Sequence, residues 1–544
     1  MSKYSGGYIL HQADFVRGSA HTSGLADPIS DLDLETTNAL QAVPYEINRW
    51  LLNVAERLWA TTADRTILPA RSVAPAASRL PDDEWAKMTP EHRKKYREAR
   101  RRAWDEAASD TGRRISVLAS LDQARALVSE RLWFPVTLDF RHRRYPVAAS
   151  GVSPQGADLQ KALLCFANGK PLGSAGAEWL MIRAATTFGH DKLSFSERAE
   201  WALENEDMLR KCARDPLGFR EWMKAEEPWQ FLATCHELDG FWMVGGSYVS
   251  YLPVHLDGSC NGLQHLSAMG RDPEGALATN LVSSAKRQDV YERVAELVAE
   301  RVALDASEAN EVAMKWHGRV TRKLVKRAVL TTPYGVTDKG IGAQLRDDHG
   351  MSAEEARYFQ PVLVDAIGKV VIAARQIMAW LQTVAFRFAE AGLGISWTTP
   401  TGSTVYQAYR ELPATRVETL AGRFTLLSET GNAPVIPRKQ ALAIAPNLVH
   451  SFDAAHLSLT IKSLVDQGIT DFSTVHESYA VHAADARALS VTLRETFAAI
   501  YSEDHLGRLA REWRSQAPHV EMPEPPKGLG WDVRQVLDSP FAFS

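Results

Sequence analysis

The sequence predicts an α+β protein in which helical segments form lobes of their own around short antiparallel strands. Three observations carry this. Long stretches repeat apolar residues at helical spacing, strand-prone aromatic and β-branched runs lie between them, and Gly, Asn and Asp punctuate the strand ends. At 544 residues the chain is long for a single hydrophobic core, so several lobes are expected.

Residues 1–35 lack clear periodicity and read as an irregular lead-in. From Thr37 to Thr61, Leu40, Val43, Ile47, Leu51, Val54 and Leu58 recur at helical spacing. A Pro- and Ala-rich linker runs from Leu68 to Pro81. A charged helical stretch with Arg93, Lys94, Lys95, Arg97, Arg100, Arg101 and Arg102 follows, its basic face read as solvated, and a second long helix is expected from Ile115 to Arg131. At Trp133 the character changes: Trp133 to Phe140 is strand-prone and leads into Arg141-His142-Arg143-Arg144-Tyr145. Strands are expected from Phe241 to Leu256, ending at Asp257. Residues 286–303, 306–332 and 353–392 read as helices. Trp397–Val405 and Phe424–Val435 read as hairpins, the second turning at Gly431-Asn432. A helix from Asn447 to Asp466 precedes a hairpin from Phe472 to Val481 with His476-Glu477 at its tip. No internal repeat or low-complexity tract is present.

Composition narrows the function classes. Hydrophobic content of 45% and charged content of 24% are ordinary for a globular protein. No uninterrupted apolar run is long enough to span a bilayer, so no membrane partner is expected. The polar start, Met1 to Gly7, lacks the apolar core of a signal peptide. Cys165, Cys212, Cys235 and Cys260 lie far apart without zinc-ligand spacing, which suits reduced thiols in a cytosol. A net charge of −4 argues against an indiscriminate nucleic-acid coat but not against a nucleic-acid enzyme, which needs only a local basic surface.

Three places carry chemistry. In Asp257-Gly258-Ser259-Cys260-Asn261-Gly262, a carboxylate at a strand end followed by glycines suits magnesium, which takes oxygen ligands and shares them with phosphates. From Lys315 to Leu330, Lys315, Arg319, Arg322 and Lys326 fall at i, i+4, i+7 and i+11, stacking four cations on one helix face with no acidic partner in that stretch. Such a row suits a triphosphate. The helix is expected to stop near Pro333, leaving Tyr334-Gly335 at its end. The third place is Thr474 to Tyr479, where Glu477 at a hairpin tip reads as a second metal ligand. A strand aspartate, a cationic helix and a hairpin carboxylate together describe two-metal phosphoryl transfer.

These residues carry a resemblance. Asp257 to His265, then Arg322, Lys326 and Tyr334-Gly335, then Pro446 to Ser451, resemble signature blocks of the single-subunit DNA-dependent RNA polymerases of T-odd bacteriophages and mitochondria. Trp133-Phe134-Pro135, Asp139 to Tyr145, Ser153 to Gly156 and Phe541 to Ser544 add to the match, which runs from about Gly6 to the last residue. The resemblance implies a right-hand polymerase fold with an antiparallel palm sheet and mainly helical thumb and fingers. It divides the chain into an N-terminal remnant (1–45), thumb (46–130), first palm segment (131–285), fingers with a specificity hairpin near 424–440 (286–450), and second palm segment with C-terminal foot (451–544). Asp257, the Gly258 carbonyl and Glu477 then hold two magnesium ions, with manganese as a substitute. Arg322, Lys326 and Lys192 hold the incoming triphosphate, and Lys326 protonates the leaving pyrophosphate. Tyr334, beside Gly335, closes over the nucleotide, His450 reads the ribose 2′-OH, and Tyr291 supports the metal and sugar site. Arg141, Arg143, Gln155, Lys161 and His476 line the nucleic-acid cleft. The implied partners are a DNA template, an RNA product and ribonucleoside triphosphates, in the cytoplasm of an infected bacterium or delivered with the virion.

The match departs in three places. Glu477 stands where the family has aspartate, one methylene shorter, so a slower or manganese-tolerant enzyme is expected. Pro333 stands where some members have a small helix-compatible residue. The family's N-terminal domain, which recognises upstream DNA and opens the duplex, is mostly missing, so a separate subunit or factor, or a pre-opened template, is expected. Two alternatives remain. A-family DNA polymerases share the Arg-Lys-Tyr-Gly pattern but place a bulky glutamate near the metal aspartate, where this chain has Gly, Ser, Cys, Asn and Gly. A catalytically weakened homologue would bind nucleic acid without making product.

Overall fold

The structure, a computed structural model, describes residues 15–17, 29–61, 67–69, 80–148, 151–419, 422–427 and 433–544. Its central element is the helix Pro437–Asp466, which buries Asn447, Ser451, Asp453, His456 and Ser458 as well as Leu448, Phe452 and Ile461. A surface helix keeps a polar stripe in water; one enclosed on most sides belongs to the core. It packs against the helices Ile372–Glu390, Ala486–Ile500, Asp31–Ala42 and Asn261–Met269.

Beside it lies an antiparallel three-stranded sheet in which Ser478–His482 runs between Ser473–Val475 and Pro253–Asp257. Leu256 pairs with Tyr479 and Val254 with Val481, and all four side chains are buried. The strand period of two sends His255, Asp257 and Ser478 to the opposite face. The C-terminal segment closes the end of this sheet: Ser544 N–H donates to the Asp257 carbonyl (2.9 Å), and Ser259 N–H to the Ala542 carbonyl (3.3 Å). These bonds leave the Gly258 carbonyl outside the pairing. The α+β class therefore stands, with small antiparallel sheets among many helices. Among the described residues no helix is long and apolar enough to cross a membrane, and the four cysteines are free.

Several elements differ from the sequence expectation. The helical pattern from Thr37 to Thr61 is broken: helices Asp31–Ala42 and Arg49–Thr61 flank a strand, Tyr45–Ile47, because Pro44 has no N–H to continue the first. The expected pair of helices after the linker is one helix, Pro90–Ala126, begun by Thr89 accepting from His92 N–H with Pro90 in its first turn. Most of the linker lies outside the described residues. Phe241 to Val244 ends a helix, Pro228–Val244, and strands begin only at Val249. Phe424 belongs to a hairpin formed by Ala414–Thr419 and Gly422–Leu427, while Val435 pairs with Arg410. The expected turn at Gly431-Asn432 lies outside the described residues, and by Pro437 the chain is helical.

The largest correction concerns the four-cation row. Glu311–Trp316 and Arg322–Thr331 are separate helices, parted at Gly318, whose φ of 73° no continuing helix tolerates. Lys315 and Arg319 therefore do not stack on Arg322 and Lys326. The stretch itself holds no acid, as expected, but two of its cations find acids from elsewhere in the chain, Lys315 pairing with Glu355 (2.6 Å) and Arg322 with Asp289 (2.5 Å).

Candidate active site

The carboxylate half of the site follows from strand register. Asp257 lies opposite Ser478, so the residue before Ser478 is carried next to Asp257. That residue is Glu477, in a two-residue turn whose other member, His476, has φ 55°. The His476 ring meets Tyr145 edge-on at 5.3 Å, leaning the turn against the segment Asp139–Tyr145. Asp257 is open to solvent yet densely surrounded, and burial raises its pKa. Burial and then the Asp453 charge raise that of Glu477. Two carboxyls held near each other with little compensation resist sharing negative charge.

Asp453, which the sequence reading did not single out, completes this half. It accepts from Arg143 Nη2 (2.6 Å) and Nε (3.1 Å) and from Asn261 Nδ2 (2.9 Å). Burial opposes its charge, but Arg143 outweighs burial and brings its pKa down to about 2. The same Arg143 Nη2 donates to Glu477 (3.0 Å), so one guanidinium bridges the buried and the solvent-facing acid. Arg141 is likewise tied inward, to Asp139 (2.5 Å) and to His450 Nδ1 (2.8 Å). Arg144, the next residue after Arg143, turns into the core and bonds Ser458 (2.8 Å) and Asp33 (3.3 Å), fixing the segment to the central helix.

His450 is pushed down to about 3 by burial and the two arginines, so its ring is neutral. Because Arg141 donates to Nδ1, the ring's own proton sits on Nε2. The Tyr334 ring stacks on His450 with centroids 5.0 Å apart and an interplanar angle of 27°. Tyr334 reaches that position through a 3₁₀ turn, Thr332–Tyr334, after the helix ends at Thr331, and Gly335 turns the chain with φ 76°. The expectation that Pro333 ends the helix is met, and the turn it forms aims Tyr334 at His450.

The cationic half centres on Asp289. Its Oδ1 accepts from Tyr291 and Glu292 N–H (3.0 and 3.3 Å), capping the helix Val290–Ser307, while Oδ2 takes Arg322 Nε (2.5 Å) and Lys192 Nζ (3.2 Å). The Arg322 guanidinium lies 5.0 Å from the Tyr291 ring centre. Lys192, Cys260, Asp289, Tyr291 and Arg322 line one cleft of ≈ 490 Å³. Lys326 is exposed and has no ion-pair partner among the described residues.

Other expected positions have different surroundings. Gln155 donates to the Arg144 and Thr474 carbonyls (3.1 and 3.2 Å), so it ties two segments together. Lys161 faces Glu227 at 3.8 Å. Asp289 and Asp453 had signals in the sequence: the first precedes a helix start, and the second lies one turn beyond His450.

Residues 170–527 match the family described as DNA-dependent RNA polymerase. The chain belongs to this family. It is 33% identical over 532 residues to the tobacco protein named DNA-directed RNA polymerase 1B, mitochondrial (Nicotiana tabacum), covering 94% of this chain and 52% of that one. Against DNA-directed RNA polymerase 2, chloroplastic/mitochondrial, of Arabidopsis thaliana, it is 34% identical over 94% of this chain and 52% of that one. Against the mitochondrial DNA-directed RNA polymerase of Schizosaccharomyces pombe the figures are 31%, 98% and 50%. The chain thus spans about half the length of these polymerase relatives. Among solved structures, the POL domain of Pol1 from M. smegmatis in complex with DNA primer-template and dNTP gives a TM-score of 0.37 at 14% identity, over 88% of this chain and 62% of that chain.

Proposed function

We propose that this family member is a DNA-templated RNA polymerase that adds ribonucleotides to an RNA 3′ end by two-metal nucleotidyl transfer. The observation that carries the reading is the register of Asp257 against Ser478, which delivers Glu477 to the same strand end. We read this sheet as the palm, the helical regions around residues 46–130 and 286–450 as thumb and fingers, and the Ala414–Leu427 hairpin as the promoter-reading element.

Among the described residues no three His, Cys, Asp or Glu side chains gather as a ready metal cage. Asp257, the Gly258 carbonyl and Glu477 are all oxygen donors, and magnesium bound by one or two carboxylates shares the rest of its shell with substrate phosphates. The donor set therefore suits two magnesium ions, with manganese as a substitute. When bound, such ions activate a hydroxyl nucleophile and stabilise the leaving oxygen. Arg143 holds Glu477 on the Asp453 side until the site fills. Arg322 and Lys192 balance the phosphate charge, and Lys326, exposed on the same helix as Arg322, supplies a proton to the departing pyrophosphate. His450 offers its Nε2 proton to a ribose hydroxyl beneath the Tyr334 ring. Arg141, Arg143, Lys161 and His476 line the path of template and product, with Gln155 holding that wall together.

Four free cysteines suit a reducing cell interior, and we place the enzyme in an infected bacterium or the virion that enters it, although the relatives named above are organellar. The test is extension of an RNA primer on a DNA scaffold, with ribonucleotides and deoxyribonucleotides offered in parallel. Ribonucleotide addition is expected. Preference for deoxyribonucleotides would make it a DNA polymerase. Salt-sensitive template binding without product, in magnesium or manganese, would leave only a nucleic-acid-binding homologue. A promoter-duplex template in the same assay reads whether a further subunit or factor is needed.

A further inference from the structure

Asp289 joins three segments that are remote in sequence. Lys192 follows the helix Gly173–Phe188, Asp289 opens the helix Val290–Ser307, and Arg322 opens the helix Arg322–Thr331. One carboxylate oxygen is spent on the helix start and the other on both cations. A capped helix end is a rigid support, so the oxygen facing the cations is held in place.

What Asp289 leaves unused is as telling as what it binds. Arg322 gives it Nε alone, and among the described residues the two Nη groups have no hydrogen-bond partner. With Nε pinned and the Tyr291 ring 5.0 Å away, the guanidinium plane is set while its outer edge remains free. Lys192 has no other ion-pair partner among the described residues and is 55% exposed at its side chain. At Asp289 itself one carboxylate meets two cations, while in the same cleft Asp191 is paired with Arg287 and Glu292 also lines the wall, so it is the free outer edges of Arg322 and Lys192, not a net charge, that offer donors to an anion. Burial opposes the charge on Asp289, but the bonds from Arg322 and Lys192 lower its pKa.

We propose that Asp289 is a positioning residue, which does not touch the nucleotide but sets Arg322 and Lys192 side by side so that both grip one polyphosphate tail. This rests on the polymerase reading above and adds to it the residue that organises the phosphate grip. Loss of a partner that orients a metal ligand costs roughly 10- to 100-fold, and an effect at the low end of that range is expected for this pair of phosphate-binding cations.

Two variants separate positioning from capping. Asp289→Asn keeps the cap and an acceptor but loses the charge, and Asp289→Ser keeps a cap but is too short to reach either cation. With the full chain, single-ribonucleotide addition is measured alongside calorimetric titration with pyrophosphate. Both variants are expected to raise KM for the ribonucleotide by about tenfold while kcat changes less than about threefold, the pattern of lost uniform binding. Pyrophosphate binding weakens in parallel. In an Arg322→Ala background, Asp289→Asn has one cation fewer to position, so its effect shrinks to about twofold; a purely structural role would add in full whatever the stability of the variant. Unchanged KM and pyrophosphate affinity, full additivity, or a fall in KM would each overturn the proposal, the last making Asp289 a competitor of substrate. If the unaltered protein makes no RNA but binds pyrophosphate and loses that binding on Asp289→Asn, the polymerase reading falls while the positioning role stands. If it neither makes RNA nor binds pyrophosphate, both fall.

Discussion

On the strand side of the site, Asp453 and Glu477 share a single guanidinium, Arg143, and Asp257 stands at the adjoining strand end. On the helix side, two cations, Lys192 and Arg322, gather on a single carboxylate, Asp289. The first half carries surplus negative charge, and its inner acid is nearly solvent-free, with the Asp453 side chain 2% exposed. The second is open, Arg322 being 36% and Lys192 55% exposed, with Asp191, Arg287 and Glu292 lining the same cleft. The contrast teaches how a site prepares for a ligand that is itself a charge pair. Asp453 is buried, expensive to move and locked by Arg143, while Asp257 and Glu477 face solvent from a strand end and turn that register fixes. The cations, long and solvated, are only gathered, so they can rearrange around phosphate oxygens at small cost. A magnesium-bound triphosphate, the substrate proposed above, would bring metal to the acids and phosphate oxygens to the two cations.

The largest effect that sharpens this comparison is on chemistry. Asp257→Asn should lower nucleotide addition on the order of 1,000-fold if Asp257 holds metal as proposed. Its unfolding free energy should stay level or rise, since burial disfavours the charge that the variant removes. Primer extension and thermal unfolding read the two together; a large loss of stability would mean that Asp257 is structural.

The strand side should also be sensitive to acid. Burial pushes His265 and His450 down to about 3 and His456 down to about 4. Unfolded, each takes up a proton near pH 6.5, so stability is full above that value and falls as pH drops toward the folded values. Together the three should cost about 3 kcal/mol between roughly pH 6.5 and 5.5, measured by denaturant unfolding. A flat profile over that interval would show that these rings are hydrated.

A smaller effect isolates Asp453. Its folded pKa is depressed to about 2, so its contribution is present above the ordinary carboxylate range and is lost as pH falls through about 2. At pH 7, Asp453→Asn should cost about 2 kcal/mol, and the difference from the unaltered protein should close between about pH 4 and 2. The smallest effect is on the other side. Lys315→Ala, 63% exposed and outside the Arg322 helix, should change stability by no more than about 1 kcal/mol and leave nucleotide KM alone. A marked rise in KM would restore the four-cation row.

How much of this could be read from sequence depends on range. The Asp257 strand and the His476-Glu477 turn were legible because strand alternation and a two-residue turn are local. The stop at Pro333 was legible because proline acts on its own backbone. The cationic helix was misread because the spacing of Lys315, Arg319, Arg322 and Lys326 is helical while Gly318 leaves the helix. Asp289 pairs with residues 97 and 33 positions away along the chain, and no periodicity records such a contact. Asp453 was hidden for a related reason: among several polar residues on one core helix, its charge makes sense only once Arg143 is seen against it.

The account turns on one claim, that Asp257 and Glu477 hold metal in common. Titration of manganese by electron paramagnetic resonance, with a non-hydrolysable ribonucleoside triphosphate present, tests it most directly. The unaltered protein should take up manganese, and Asp257→Asn and Glu477→Gln should each weaken that uptake by about tenfold or more. Uptake that survives either substitution unchanged would contradict it.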